Sequence, residues 1–110
     1  MTNPDKPALQ AHFARTLRAL RVVRRLSQEA FDATSGRTYL SAMERGLKIP
    51  TLGKIEHLAR VLNVHPATLV ALSYCAQLGK SEFRVLMDTV AKEGLELLTM
   101  YEQPDRRDGA

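Results

Sequence analysis

Residues 26–52 read LSQEAFDATSGRTYLSAMERGLKIPTL, and this stretch decides the fold. Ser27 can cap a short helix by accepting a hydrogen bond from an unpaired backbone amide. Glu29 adds negative charge to the first turn of that helix, where the helix dipole favours it. The helix must end by Gly36, and either Thr34 or Ser35 can then cap the helix that follows.

The second half of the stretch predicts another short helix, over residues 37–45. Helical spacing places Leu40 and Met43 on its inward face, and Gly46 closes it. A loop follows, and Thr51 is placed to cap the next helix. The stretch therefore predicts two short helices joined by a tight turn.

Helical spacing of apolar residues continues on both sides of this pair. The inward faces predicted for the first and fourth helices are Leu9, Phe13, Leu17 and Leu20, and Leu52, Ile55, Leu58, Ala59 and Leu62. The fourth helix stops at Asn63, and His65-Pro66 opens a fifth, because proline is well tolerated at a first helical position. A last, longer helix runs over about residues 81–102.

Strand-like alternation is absent from the sequence, so the predicted fold class is all-α. A loose arm occupies residues 1–7, and a five-helix domain covers residues 8–78. The longer C-terminal helix covers residues 79–103, and a disordered tail covers residues 104–110.

Composition narrows the possible functions. The chain has 110 residues, enough for one domain, and its one cysteine (Cys75) rules out an internal disulfide. It contains no signal peptide or membrane-length apolar run, so a soluble cytoplasmic protein is expected. The net charge is +4, but residues 1–80 carry +7 and residues 81–110 carry −3. This asymmetry favours a basic body that meets a polyanion.

Several short motifs occur in a fixed order through the middle of the chain. They are Leu26-Ser27-Gln28-Glu29, Gly36, Arg37-Thr38-Tyr39-Leu40-Ser41, Glu44-Arg45-Gly46, Pro50-Thr51-Leu52, and Leu58-Ala59-Arg60-Val61-Leu62-Asn63-Val64. In this order they resemble the helix-turn-helix domain of the lambda-repressor-like, XRE-type transcriptional regulators. The resemblance covers residues 21–72 and implies a sequence-specific DNA-binding regulator. One departure is that Gly36 directly precedes Arg37, whereas most members have two further residues there, so the start of the recognition helix can shift.

A recognition helix reads base edges in the major groove of double-stranded DNA. With Leu40 and Met43 inward, the 100° step per residue turns four residues outward: Thr38, Ser41, Ala42 and Arg45. Arg37 and Tyr39 flank that face, although Tyr39 can equally cover the edge of the core. Arg37 can bridge two acceptors on a guanine, and Ala42 leaves room for a thymine methyl group.

Other residues are expected to hold the DNA or the reading helix. The resemblance implies that Gln28 contacts the DNA backbone and that Arg21 and Glu44 form a salt bridge that locks the recognition helix in place. Lys48, in the following loop, and Thr51, at the amino end of the fourth helix, are placed to contact phosphates.

The last helix carries an apolar seam at heptad spacing, formed by Phe83, Met87, Val90, Gly94, Leu97 and Tyr101. Two interpretations are open. The seam can complete the core of its own domain, or it can form a two-fold dimer interface. Dimerisation is favoured because the five-helix domain should be complete by Leu72, and because one short helix reads too few base pairs. We therefore expect a homodimeric repressor on an inverted-repeat operator, although repression and activation are not distinguished by sequence.

The sequence also bears on two other classes of function. An enzyme is not expected, because His12, His57 and His65 lie on different helices without a partner at catalytic or metal-ligand spacing. No cofactor, metal or small-molecule effector is expected. An antitoxin-type module, which binds a protein with its last helix and also autoregulates its operon, is the alternative function, since the same fold serves both.

Overall fold

The computed structural model describes residues 3–31 and 37–103, and within these ranges the fold is all-helical, as predicted. The elements are α1 (Lys6–Val23), a 3-10 helix (Gln28–Phe31), α2 (Arg37–Glu44), α3 (Leu52–Leu62), α4 (Pro66–Ser73) and α5 (Lys80–Tyr101). The side chains of residues 37 and 38 lie outside the description. None of the described helices is both long enough and apolar enough to cross a membrane.

Helix α1 begins earlier than the sequence analysis predicted. The side chain of Asp5 caps it by accepting a hydrogen bond from the amide of Ala8 at 2.9 Å, and Pro7 lies in its first turn. The arm predicted for residues 1–7 therefore gives way to helix at Lys6. An acidic cap followed by proline is a helix-start signal that was present in the sequence.

The helix predicted from Ser27 is a 3-10 helix in the described residues, Gln28–Phe31. The amide of Ala30 donates to the backbone carbonyl of Ser27 at 3.2 Å. Phe31 is fully buried and anchors this segment in the core. The predicted caps Thr34 and Ser35 and the turn at Gly36 lie outside the described residues, as does the predicted tail over residues 104–110.

The ends of the middle helices follow the sequence signals. Gly46 adopts a left-handed φ of +76°, and the chain reverses there because the Leu47 amide bonds to the Ala42 carbonyl at 3.0 Å. This is the hydrogen bond of a Schellman motif. Asn63 ends α3 in the left-handed region at φ 58°, and the His65 ring accepts from the Ala67 amide at the start of α4.

The core lies where α1 packs against α4 and α2, and where α3 packs against α4. Its fully buried large side chains include Leu17, Phe31, Leu40, Met43, Leu58, Leu62 and Leu69. The prediction that Leu52 faces inward is wrong, since 81% of it is exposed. Leu52 is the first residue of α3, and its neighbours Thr51 and Gly53 are exposed as well.

Helix α5 contacts α4 near its start and then extends away from the body. None of its residues is buried. The molecule is consequently elongated, with principal extents of 53 × 29 × 25 Å. Apolar residues of α5 such as Val90 and Leu97 are more than half exposed, which is the feature that the dimer interpretation anticipates.

Candidate nucleic-acid interface

The structure brings Arg21 and Glu44 together as a two-point ion pair between α1 and the end of α2. Arg21 Nε donates to Glu44 Oε2 at 2.7 Å, and Arg21 Nη2 donates to Glu44 Oε1 at 3.1 Å. The remaining Nη1 donates to the carbonyl of Leu26 at 3.0 Å. Because three nitrogens of one planar group are engaged, the arginine fixes α2 relative to α1 and to the start of the 3-10 segment.

This ion pair is shielded from water. The side chains of Arg21 and Glu44 are 15% and 6% exposed. The hydrogen bond that Arg21 donates to Glu44, together with the charge of Glu44, raises the pKa of Arg21 above its ordinary value, although desolvation acts in the opposite direction. Arg21 therefore keeps its positive charge, and the two-point pair fastens α2 to α1.

Gln28 belongs to the same cluster. Its Nε2 donates to Glu44 Oε1 at 3.2 Å, and the side chain is half-buried. Gln28 was predicted to contact the DNA backbone on the basis of the family resemblance. In the structure its amide holds the carboxylate that orients α2, which places Gln28 at the joint between the 3-10 segment and α2.

Tyr39 lies between two lysines. Lys48 Nζ is 5.1 Å from the centre of the Tyr39 ring, and Lys54 Nζ is 5.0 Å from it. Both distances are within the range of cation–π attraction. Tyr39 also packs against the core, so the ring covers the core edge and holds two positive charges beside it. Lys54 was missed by the sequence analysis, although it follows the Thr51 cap by three residues.

The amino end of α3 adjoins this pair of lysines. The side chain of Thr51 accepts from the amide of Lys54 at 3.2 Å and thus caps the helix. Thr51 and Leu52 are exposed, so the positive end of the α3 dipole faces solvent. Lys48, Lys54 and this helix terminus form the basic edge, a surface suited to anionic groups such as phosphates.

The outward face of α2 is only partly as predicted. Ser41 is half-buried and Arg45 is exposed, with Arg45 Nε donating to the Ser41 carbonyl at 3.4 Å. The prediction that Ala42 faces outward is wrong, because only 8% of Ala42 is exposed. Helix α2 packs against both α1 and the 3-10 helix, so more of its circumference is covered than one inward face, and Ala42 is not available as a thymine contact. Arg37 and Thr38 lie in the first turn of α2, and their side chains are outside the description.

The predicted seam of α5 divides into two parts. Phe83 and Met87 are half-buried, and Phe83 shares a groove with Leu72 of α4. In the second part Val90, Leu97 and Tyr101 are 51%, 64% and 68% exposed. A Cβ added at Gly94 would meet no atom within 4 Å. The first two turns of the seam therefore contribute to the chain's own body, and Val90 and Leu97 beyond them are mostly exposed to solvent.

Comparison with known proteins agrees with this geometry. A family model described as a helix-turn-helix domain matches residues 12–72, more than half of the chain. The crystal structure of the hypothetical transcription factor NHTF from Neisseria is 36% identical, with a TM-score of 0.52. The similarity covers 64% of this chain and 83% of that one. No curated protein matches the chain.

Proposed function

The chain belongs to the helix-turn-helix domain family, and from this premise we propose that it is a homodimeric repressor that binds an inverted-repeat operator. The match supports a DNA-binding transcriptional regulator, as the sequence resemblance implied. The observation that carries the proposal is the position of α2, which the Arg21–Glu44 pair fastens beside the basic edge. A reading helix next to a phosphate-binding surface is the arrangement that operator recognition needs.

In this proposal α2 enters the major groove with its amino end foremost. Arg37, in the first turn, is the candidate for two hydrogen bonds to one guanine, and Thr38 and Ser41 serve bases or phosphates. Arg45, which is exposed at the other end of α2, contacts the DNA backbone. These contacts supply the sequence preference of one half-site.

The basic edge supplies affinity that does not depend on sequence. One aromatic ring already restrains Lys48 and Lys54 in the free protein. They therefore lose less side-chain freedom on binding DNA than isolated lysines would. The amino end of α3 adds its backbone amides. Contacts of this kind release counterions from DNA and weaken as salt rises.

Dimerisation is the second part of the proposal. The exposed half of the α5 seam, centred on Val90 and Leu97, packs against the same surface of a second copy. Gly94 lets the two backbones approach closely, because no side chain stands between them. A two-fold dimer doubles the number of base pairs read and fixes the symmetry of the operator. A dimer bound across a promoter blocks it physically, so repression needs no small-molecule effector. In this proposal the protein acts in the cytoplasm.

The proposal is tested by selecting bound sequences from random duplex DNA, using the wild type, Arg37→Ala and Lys48→Ala. We expect inverted repeats with half-sites about one helical turn apart, or a small multiple of that. Arg37→Ala should relax preference at one position per half-site, with a cost of ~1–3 kcal/mol there. Lys48→Ala should weaken binding to all sequences alike and reduce the salt dependence.

A matched control is Lys92→Ala, which removes an exposed lysine from α5, far along the chain from the reading helix. It should leave both preference and salt dependence unchanged. Absence of any sequence preference in the wild type would overturn operator recognition. Enrichment of single, unpaired half-sites would instead overturn the dimer.

Dimerisation is tested separately by sedimentation. Val90→Asp places a charge in the exposed part of the seam and should produce a monomer. Lys92→Asp introduces the same side chain two positions away, about 200° around the helix, and should remain dimeric. A Val90→Asp variant that sediments as a dimer would contradict the seam, and co-purification with a small protein partner would favour the antitoxin interpretation.

A further inference from the structure

The segment between α4 and α5 is bound closely from the side of α5. Glu82, in the first turn of α5, accepts hydrogen bonds from three backbone amides of this segment. Oε2 accepts from Ala76 at 2.5 Å, and Oε1 accepts from Gln77 at 2.9 Å and from Gly79 at 3.3 Å. Capping of the helix alone would need fewer of these bonds, so the carboxylate also fixes the path of the chain that leads into α5.

The same segment is bound from the side of α1. The Arg15 guanidinium donates through Nη1 to the carbonyl of Ala76 and through Nη2 to the carbonyl of Cys75. Arg15 of α1 therefore binds two carbonyl groups of this segment, while Glu82 of α5 binds three of its amides. The neighbouring Thr16 hydroxyl donates to the Leu72 carbonyl at 3.3 Å, which ties the end of α4 to the same part of α1.

Helix α1 is also the element to which the reading helix is fastened. It carries Arg21, six residues after Arg15, and Arg21 holds Glu44 at the end of α2. A continuous path thus runs from α2 through α1 and the 75–79 segment into α5. The orientation of α5 relative to α2 depends on this path and on the half-buried Phe83 and Met87 near the start of α5, since no residue of α5 is fully buried.

We propose that Arg15 and Glu82 are positioning residues that set the direction of α5 relative to the reading helix and thereby fix the operator half-site spacing. This inference rests on the proposed function, because it assumes that α5 joins two copies and that α2 reads DNA. The inference concerns DNA that carries an inverted repeat with one particular spacing between its half-sites. The identity of the recognised bases is set by α2.

The length of α5 shows why the joint matters. Its 22 residues span about 33 Å at ~1.5 Å per residue. A change of about 10° at its base therefore moves its far end by roughly 6 Å. One base pair rises ~3.4 Å along the DNA axis, so a movement of this size would change the half-site spacing that the dimer fits by one to two base pairs.

The test uses duplexes in which two selected half-sites are separated by spacers that change in one-base-pair steps. The full-length dimer is titrated onto each duplex as wild type, as Glu82→Ala and as Arg15→Met. The wild type should favour one spacing over its neighbours by about tenfold, which corresponds to ~1.4 kcal/mol. Both variants should reduce this preference to about threefold or less, with binding to a single half-site unchanged.

Controls separate positioning from folding. Glu96→Ala removes an exposed carboxylate farther along α5 and should keep the wild-type spacing profile. Glu82→Gln retains an acceptor oxygen and should give an intermediate profile. It also replaces Glu82→Ala should that variant fail to fold. Sedimentation confirms that each variant remains a dimer before its profile is measured.

A second measurement reads the geometry without DNA. Spin labels at His57→Cys, an exposed position on α3, report the distance between the two reading heads of a dimer. Cys75 is fully buried and should not take the label. A narrow distance distribution is expected for the wild type and a broad one for Glu82→Ala.

The outcomes are distinguishable. A wild type that neither dimerises nor prefers inverted repeats overturns the proposed function, and this inference with it. A wild type that does both, with variants that keep the same spacing profile and the same narrow distance distribution, overturns this inference alone. Loss of binding to a single half-site in Glu82→Ala would also overturn it, because the role would then lie in the reading head.

Discussion

Replacement of Glu44 by alanine tests the fastening of the reading helix. Glu44→Ala removes the acceptor of three hydrogen bonds, two from Arg21 and one from Gln28. Arg21 keeps its bond to the Leu26 carbonyl, but its charge is left without a counter-ion at a site where the side chain is 15% exposed. The variant should therefore be destabilised in two ways: it loses the hydrogen bonds, and it leaves a desolvated cation without a counter-ion.

The expected magnitude follows from the burial of the pair. Breaking a buried ion pair by removing one partner costs ~3–5 kcal/mol. Water still reaches part of Arg21, so the lower end applies, at ~3 kcal/mol. For a domain of this size, that lowers Tm by ~12–24 °C. Replacing both partners with apolar residues, Arg21→Met with Glu44→Leu, should return stability to within ~1 kcal/mol of the wild type.

The assay is urea unfolding followed by circular dichroism, and the single variants Arg21→Met and Glu44→Leu close a thermodynamic cycle with the double variant. Glu56→Ala is the matched control, because it breaks the exposed Glu56–Arg60 pair on α3, and it should cost less than ~0.5 kcal/mol. A loss below ~1 kcal/mol in Glu44→Ala would refute the reasoning, because the pair would then fasten nothing.

Three further predictions concern the body of the protein. Leu58→Ala should lower the free energy of unfolding in urea by ~2–5 kcal/mol, because Leu58 is fully buried. Leu52→Ala, at an exposed position, should change it by less than ~0.5 kcal/mol. Equal effects of the two substitutions would contradict the packing. The pKa of Glu82 is lowered, chiefly by the Gln77 amide, so its contribution to stability is complete above pH ~4.3 and is lost as pH falls through the folded value. The stability gap between wild type and Glu82→Gln should therefore shrink on acidification, and a constant gap would contradict this. Burial raises the pKa of the Cys75 thiol, so a thiol reagent should react with it only as the protein unfolds, and rapid reaction with the folded protein would contradict its burial.

Features that depend on one residue's own conformational preference were predictable from the sequence. Gly46 and Asn63 were both expected to end helices, and both adopt left-handed backbone there because glycine and asparagine tolerate it best. Buried apolar positions such as Leu40 and Leu58 followed from helical spacing. The Arg21–Glu44 contact could be anticipated only because the order of motifs resembled a known family.

Features that depend on how elements meet were not predictable. The spacing rule assigns α2 a single inward face, so it turned Ala42 outward, whereas α2 packs against both α1 and the 3-10 helix. Arg15 and Glu82 bind backbone groups, which carry no signature in the sequence, and the partners of Arg15 lie 60 and 61 residues away. The placement of Lys54 beside Tyr39 likewise requires the relative position of α2 and α3.

The central claim is that α2 lies in the major groove of an inverted repeat. Methylation protection on the selected operator tests it most directly, because dimethyl sulfate attacks guanine N7 in the major groove and adenine N3 in the minor groove. We predict protection of guanine N7 in two symmetric patches on one face of the duplex, about one helical turn apart. Arg37→Ala should restore reactivity at one guanine in each patch. Unchanged N7 reactivity on fully bound DNA, or protection confined to adenine N3, would contradict the account.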